Sequence, residues 1–296
     1  GGATVTEAIH NPLVPVPGAD PSARVHEGKV YLYCKRDRRC RPDANDPSWT
    51  CFSSVDLASW TDHGDILHVR DIPWASGYAF APDCVAFGGE YLLYAPAVDH
   101  DQTWRIAIGA SPSPHGPFSY RGMIDRNDYD PAVFVDDDGQ AYLYLCGAAA
   151  RLSDDLLTVS GEWVDLRTIV DTAPQSPFEE RQGILGENPF VFKREGRYHL
   201  IASVFHYDGD ERIGQAVESW IGDSPLGPFR YSGTILPPVP GNCGSSMVEY
   251  RGRWIFFYHA LFDSPDVGCR ERKPCAAWCE FNEDGTIRPM QITSDG

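Results

Sequence analysis

Three acidic residues stand far apart in the chain but in similar local settings. Asp20 lies in "ADPSA", Asp130 in "YDPAV" and Glu187 in "GENPF". Each stands at or one residue from a step into proline, and each opens a short apolar run. A single Asp-Pro dipeptide usually marks a turn or a strand start. Three acids at recurring positions point instead to a shared site. A protonated carboxyl can donate to a leaving oxygen while an ionised one activates water, the division of labour of glycoside hydrolysis. A third acid can orient the donor and shift its pKa by like-charge repulsion. Glu187 heads the run Pro189-Phe190-Val191-Phe192. A carboxylate is seldom buried in such company unless it is paired or used.

The elements that must position these acids recur along the chain. "DPSARVHEGKVYLY" from Asp20, "APDCVAFGGEYLLY" from Ala81, "DPAVFVDDDGQAYLY" from Asp130, "ENPFVFKREGRYHL" from Glu187 and "GSSMVEYRGRWIFFYH" from Gly244 share one plan. A polar opening leads to an apolar strand, a charged or glycine-containing turn and an aromatic-rich strand, which is a β-hairpin. "SSVDLASWTDHG", "GASPSPHGPFSYRG" and "GDSPLGPFRYSG" repeat the outer half of the unit. Units of roughly 55 residues with about four strands each indicate propeller blades. The expected fold is all-β: one five-bladed β-propeller of four-stranded antiparallel blades, occupying residues 1–296 as a single domain. A β-sandwich would not account for the repeat. First strands of propeller blades line the axis and run the same way, so Asp20, Asp130 and Glu187, taken as equivalent positions, converge on one axial pocket.

Composition limits the partners. The formal net charge is −17 over 296 residues. A nucleic-acid partner is excluded, because binding its phosphates needs clustered Lys and Arg; an uncharged sugar is compatible. No apolar stretch reaches the length of a membrane-spanning helix, so no membrane partner is expected, and no leader peptide is read at the start of the chain. Nine cysteines leave at least one unpaired. A disulfide within the Cys34–Cys51 region or within the Cys269–Cys279 region is expected in an oxidising compartment, and a secreted or periplasmic setting is favoured. The alternative is a set of buried, reduced thiols. Cys269, Cys275 and Cys279 lack the histidine pattern of a zinc site.

Several of these motifs, in this order, resemble glycoside hydrolase family 43, the five-bladed propeller enzymes acting on arabinose- and xylose-containing glycans. They include "NPLVPVPGADPSARVHEGKVYLY", "DYDPAVFVDDDGQAYLY", "ENPFVFKREGRYHL", "GDSPLGPF" and "FNEDGTI". The resemblance covers nearly the whole chain and implies an inverting mechanism. Asp20 matches the general base, Asp130 the acid that tunes and orients the donor, and Glu187 the general acid. Asn188 stands where the family more often has glycine. Arg272, in "RERKPC", resembles the last-blade arginine that contacts the sugar beside the scissile bond. Phe80 stands at a frequent tryptophan position as a wall of the sugar pocket, and Trp74 is a second candidate for stacking. In place of the family's "GxxHxS" segment, whose histidine holds a calcium ion or water near the axis, the chain reads "GNCGSS". Gly244 therefore replaces that histidine, and no metal or other cofactor is expected. His259, at the end of a strand, is read as structural.

The resemblance implies a carbohydrate substrate, and a monomer is expected. Within the family, release of α-L-arabinofuranose by exo-action is favoured over β-xylosidase and endo-arabinanase activity. A non-catalytic carbohydrate-binding propeller is the alternative outside the enzyme class. An interaction propeller of the WD or kelch type fits poorly, because neither repeat signature recurs.

Overall fold

The computed structural model describes residues 8–38, 40–171, 173, 186–209, 211–239, 241 and 244–290. These residues form five small antiparallel sheets. Blade one holds β1 (Ala19–His26), β2 (Lys29–Lys35), β3 (Ser48–Ser54) and β4 (Thr61–His68). Blade two holds β5 (Ala75–Gly77), β6 (Asp83–Phe87), β7 (Glu90–Asp99), β8 (Trp104–Ser111) and β9 (Ser119–Ile124), with β5 and β6 both paired to β7. Blade three holds β10 (Ala132–Val135), β11 (Ala141–Tyr144), β12 (Ala148–Arg151) and β13 (Val164–Asp165). Blade four holds β14 (Glu187–Arg194), β15 (Arg197–Asp208), β16 (Glu211–Gly222) and β17 (Phe229–Val239). Blade five holds three strands, β18 (Ser246–Tyr250), β19 (Arg253–Ser264) and β20 (Cys269–Cys279).

The blades close into a ring. The inner strands touch in the order β1, β6, β10, β14, β18 and back to β1. Five apolar cores lie between the blades, one for each neighbouring pair. Trp49 and Tyr33 meet Leu93 between blades one and two; Tyr94 meets Leu143 between two and three; Tyr144 meets Trp220 between three and four. Phe190 meets Phe256 between four and five, and Leu32 meets Phe257 between five and one. Burying a side chain of this size is worth about 1.5–3 kcal/mol, so the alternating apolar positions of the hairpins hold neighbouring blades together.

Among the described residues blade five has three strands, and the segment from Asn11 to Gly18 supplies the closing edge. The Leu13 amide donates to Pro274 O at 2.8 Å and the Gly18 amide to Arg272 O at 3.0 Å. The Asn11 side chain exchanges hydrogen bonds with the Ala276 backbone in both directions. The bridge Cys40–Cys269 spans 229 residues of sequence and ties blade one to blade five. This corrects the expected pairing within either cysteine-rich region: the bridge joins the two. Closure explains why, since the loop after β2 and the start of β20 become neighbours only once the ring is shut. Cys34, Cys51, Cys84, Cys146, Cys275 and Cys279 are free and buried; Cys243 lies outside the described residues.

Candidate active site

The axial site is built at the openings of β1, β14 and the segment before β10. Asp20 has φ of 54°, Asp130 of 56° and Asn188 of 53°. These left-handed residues, each followed by proline, mark the same step in blades one, three and four. At the same step of blade five stands Gly244, with φ of 25°. The structural equivalent of Asp20 and Asp130 is therefore Asn188, and Glu187 lies one residue earlier, which corrects the equivalence read from the sequence. The pairing shows the same offset. Glu187 opposes Ser203 before a bulge that ends at Phe190, as Ala19 opposes Lys35 before a bulge that ends at Ser22. A left-handed residue is costly for most side chains, but Asn tolerates it. That explains why Asn188 can stand where glycine is usual.

The three carboxylates come within electrostatic reach of one another. Asp130 is buried, and burial followed by the charges of Glu187 and Asp20 pushes its carboxyl well above the usual range. Its Oδ2 accepts the Asn188 amide at 3.1 Å and the Cys146 thiol at 3.4 Å. Glu187 is only half-buried, and its Oε2 accepts the Gln215 side-chain amide at 2.7 Å. Asp20 is 8 % exposed. Its backbone amide donates to His259 Nδ1 at 2.9 Å, and its Oδ1 is buried without a hydrogen-bond partner.

Asp83 occupies the axis of blade two but carries a different load. It accepts Ser22 Oγ, both arms of the Arg24 fork and the amides of Cys84 and Val133. A carboxylate this fully saturated ties blades one, two and three together and has no lone pair left for a substrate.

Phe80 and Arg272 each belong to a built cluster of side chains. Phe80, half-buried, belongs to an aromatic cluster with Trp104 at 4.3 Å and Tyr129 at 5.8 Å between ring centroids. Tyr129 precedes Asp130, and burial followed by the charges of Cys146 and Glu187 pushes its phenol upward. Lys35 Nζ sits 4.7 Å from the centre of the Phe80 ring. Trp74 does not join this cluster; it packs on the core between blades one and two. Arg272 is held in the two-armed grip of Asp37, at 3.0 and 3.2 Å. The pair is largely buried. Arg41 clasps Glu271 in the same two-armed way next to it, at 2.8 and 2.7 Å. A cavity of about 820 Å³ opens here, lined among others by Lys35, Asp37, Arg38, Tyr78 and Arg272. None of the three acids lines it, so it adjoins the carboxylate cluster without being that site.

A calcium site of the family type does not fit these residues. A Cβ on Gly244 would stand 2.5 Å from Asp20 Cβ and 2.6 Å from Asp20 Oδ1, so no ligand side chain can be placed there. Among the described residues no group of three or more His, Cys, Asp or Glu is arranged to hold a metal.

Comparison with known proteins settles the lineage. The model of glycosyl hydrolases family 43 matches residues 9–287. The chain belongs to this family. It is 34% identical to xylosidase/arabinosidase 43A of Humicola insolens, covering 91% of this chain and 95% of the relative. A family 43 β-xylosidase/α-arabinofuranosidase from a compost microbial metagenome, solved with xylotriose in a calcium-free form, superposes with a TM-score of 0.77. It shares 31% identity over 95% of this chain and 97% of its own. An α-L-arabinofuranosidase of Clostridium thermocellum superposes at 0.72 with 30% identity, over 94% and 95% of the two chains. The protein is therefore a glycosidase of the xylosidase/arabinofuranosidase family, hydrolysing O-glycosyl bonds of carbohydrate.

Sequence reasoning missed Gln215, Asp37, Trp104 and Tyr129. Tyr129 and Asp37 carried a weak signal, the first beside Asp130 and the second two residues past the aromatic strand β2. Gln215 carried none, because the pairing of β15 with β16 is what brings it to Glu187.

Proposed function

We propose that the protein is an inverting exo-glycosidase that releases α-L-arabinofuranose from arabinose- and xylose-containing plant glycans. The observation that carries this reading is Asp130, whose carboxyl is held above the usual range first by burial and then by the charges of Glu187 and Asp20. The raised carboxyl of Asp130 favours its protonated form, which suits a site that must supply a proton. Glu187 is the residue that donates to the glycosidic oxygen. The Gln215 side-chain amide donates to Glu187 Oε2 and fixes the carboxyl's orientation. Asp20 removes a proton from the water that attacks the anomeric carbon on the opposite face. The aromatic cluster of Phe80, Trp104 and Tyr129 offers apolar faces to one sugar ring, and Arg272, held in one orientation by Asp37, is read as the arginine that contacts its hydroxyls.

β-Xylosidase action is the second reading, favoured by the relatives that carry both names and by the one solved with xylotriose. A panel of nitrophenyl pentosides with linear arabinan separates them. The arabinofuranoside is expected to be hydrolysed fastest, with arabinan shortened from its ends. Faster turnover of the xylopyranoside would give the second reading, and no turnover of any pentoside would remove both.

A further inference from the structure

We infer that His259 is the positioning residue of Asp20, holding it in its left-handed conformation by accepting its backbone amide while staying neutral. This deepens the proposed function, since it rests on Asp20 acting as the base.

The conformation is the reason a holder is needed. A non-glycine residue at φ of 54° costs about 1 kcal/mol or more and persists only when its surroundings impose it. Here both flanks are pinned. The Gly18 amide donates to Arg272 O at 3.0 Å. Beyond Asp20, Ser246 Oγ donates to Pro21 O at 2.7 Å and accepts the Ala23 amide at 2.9 Å. Between these flanks the Asp20 amide itself meets only an imidazole nitrogen, His259 Nδ1 at 2.9 Å.

The tautomer follows from the partners. Nδ1 receives an N–H and must carry a lone pair, so the proton sits on Nε2, which lies 2.5 Å from Gly241 O. His259 is fully buried on β19, and burial, against the opposing pull of Asp20, holds its pKa down to about 4. A carboxylate there would add a fourth acid to the cluster, and Lys or Arg has no lone pair to offer. The neutral ring lies 3.5 Å from Asp20 Oδ1 and gives that oxygen no hydrogen bond. Blade four solves the same problem differently: the amide of left-handed Asn188 is taken by Asp130 Oδ2. In blade one the amide goes to an imidazole, so no catalytic carboxylate is spent on it.

Three variants test the inference. In His259→Asn the amide oxygen falls near the place of Nδ1 and can still accept from Asp20. In His259→Gln the amide nitrogen falls near Nε2 and keeps only the bond to Gly241. His259→Phe keeps neither. With a nitrophenyl arabinofuranoside, His259→Asn is expected to lose no more than about fivefold in kcat. His259→Gln and His259→Phe should lose about 100-fold, the scale on which small misplacements act, with KM changed less than about threefold. The loss should be the same for activated and poor leaving groups, because water activation does not depend on the leaving group. Thermal unfolding of the Asn and Gln variants is compared alongside, and similar midpoints are expected. If Phe fails to fold, the Asn and Gln pair still decides. Equal losses in Asn and Gln, or full kcat in Gln, would overturn the positioning role. Asp20→Asn is run in parallel: if that variant keeps its kcat, the base assignment fails instead.

Discussion

Gly244 lies against Asp20 so closely that a methyl group on it would overlap the Asp20 Cβ, at 2.5 Å. The position read as that of the family's histidine is thus filled by the Asp20 segment of blade one. Gly244→Ala should displace Asp20 and lower kcat by about 100-fold or more, measured against an unchanged circular dichroism spectrum. We further propose that no metal supports catalysis, so activity should survive EDTA. A large loss that calcium restores would show another set of oxygens at work.

Asp130 sets stability against activity. Its folded pKa lies well above that of an unfolded aspartate, near 3.9. Between those two values the native state binds more protons than the unfolded one, so this group makes stability fall as pH rises. Asp130→Asn keeps an oxygen to accept from Asn188 and Cys146 and removes the charge. The variant should melt at a higher temperature than the parent at pH 7, with the advantage shrinking towards pH 4, while kcat falls steeply. A lower melting temperature at neutral pH would contradict the raised pKa of Asp130.

Glu187 and Asp20 should separate by leaving group. Glu187→Gln removes proton donation, so substrates with poor leaving groups should suffer about 100-fold or more, and an activated nitrophenyl pentoside much less. Asp20→Asn should slow both alike. Parallel kinetics on the two substrate types would show whether the roles are assigned to the right residues.

Much of this architecture was legible in the chain. The hairpin pattern repeats because every blade solves one packing problem, with an apolar inner strand, a tight turn and an aromatic strand facing the next blade. Tyr33, Tyr94 and Tyr144, each in the second strand of its hairpin, donate to a backbone carbonyl in the following blade, at Pro114, Leu156 and Pro225. The one-residue offset of Glu187 was not legible. A left-handed step after it lets an acid one position earlier reach the same pocket, and φ is not written in residue type when Asn stands for Gly. The Cys40–Cys269 bridge and the Gln215 contact were hidden for a different reason. Both depend on which edges meet when the ring closes or strands pair, and spacing along the chain does not encode that.

The stereochemistry of the first-formed sugar tests the account most directly. An inverting pair holds its carboxyls roughly 6.5–9.5 Å apart so that water fits between base and anomeric carbon, whereas a retaining pair at about 5–5.5 Å lets one carboxylate attack. Proton NMR of the hydrolysis, followed from the first seconds before mutarotation, should show the anomer opposite to that of the substrate. Release of the anomer matching the substrate would mean that a carboxylate attacks the sugar, and the assignment of Asp20 as a water-activating base would be wrong.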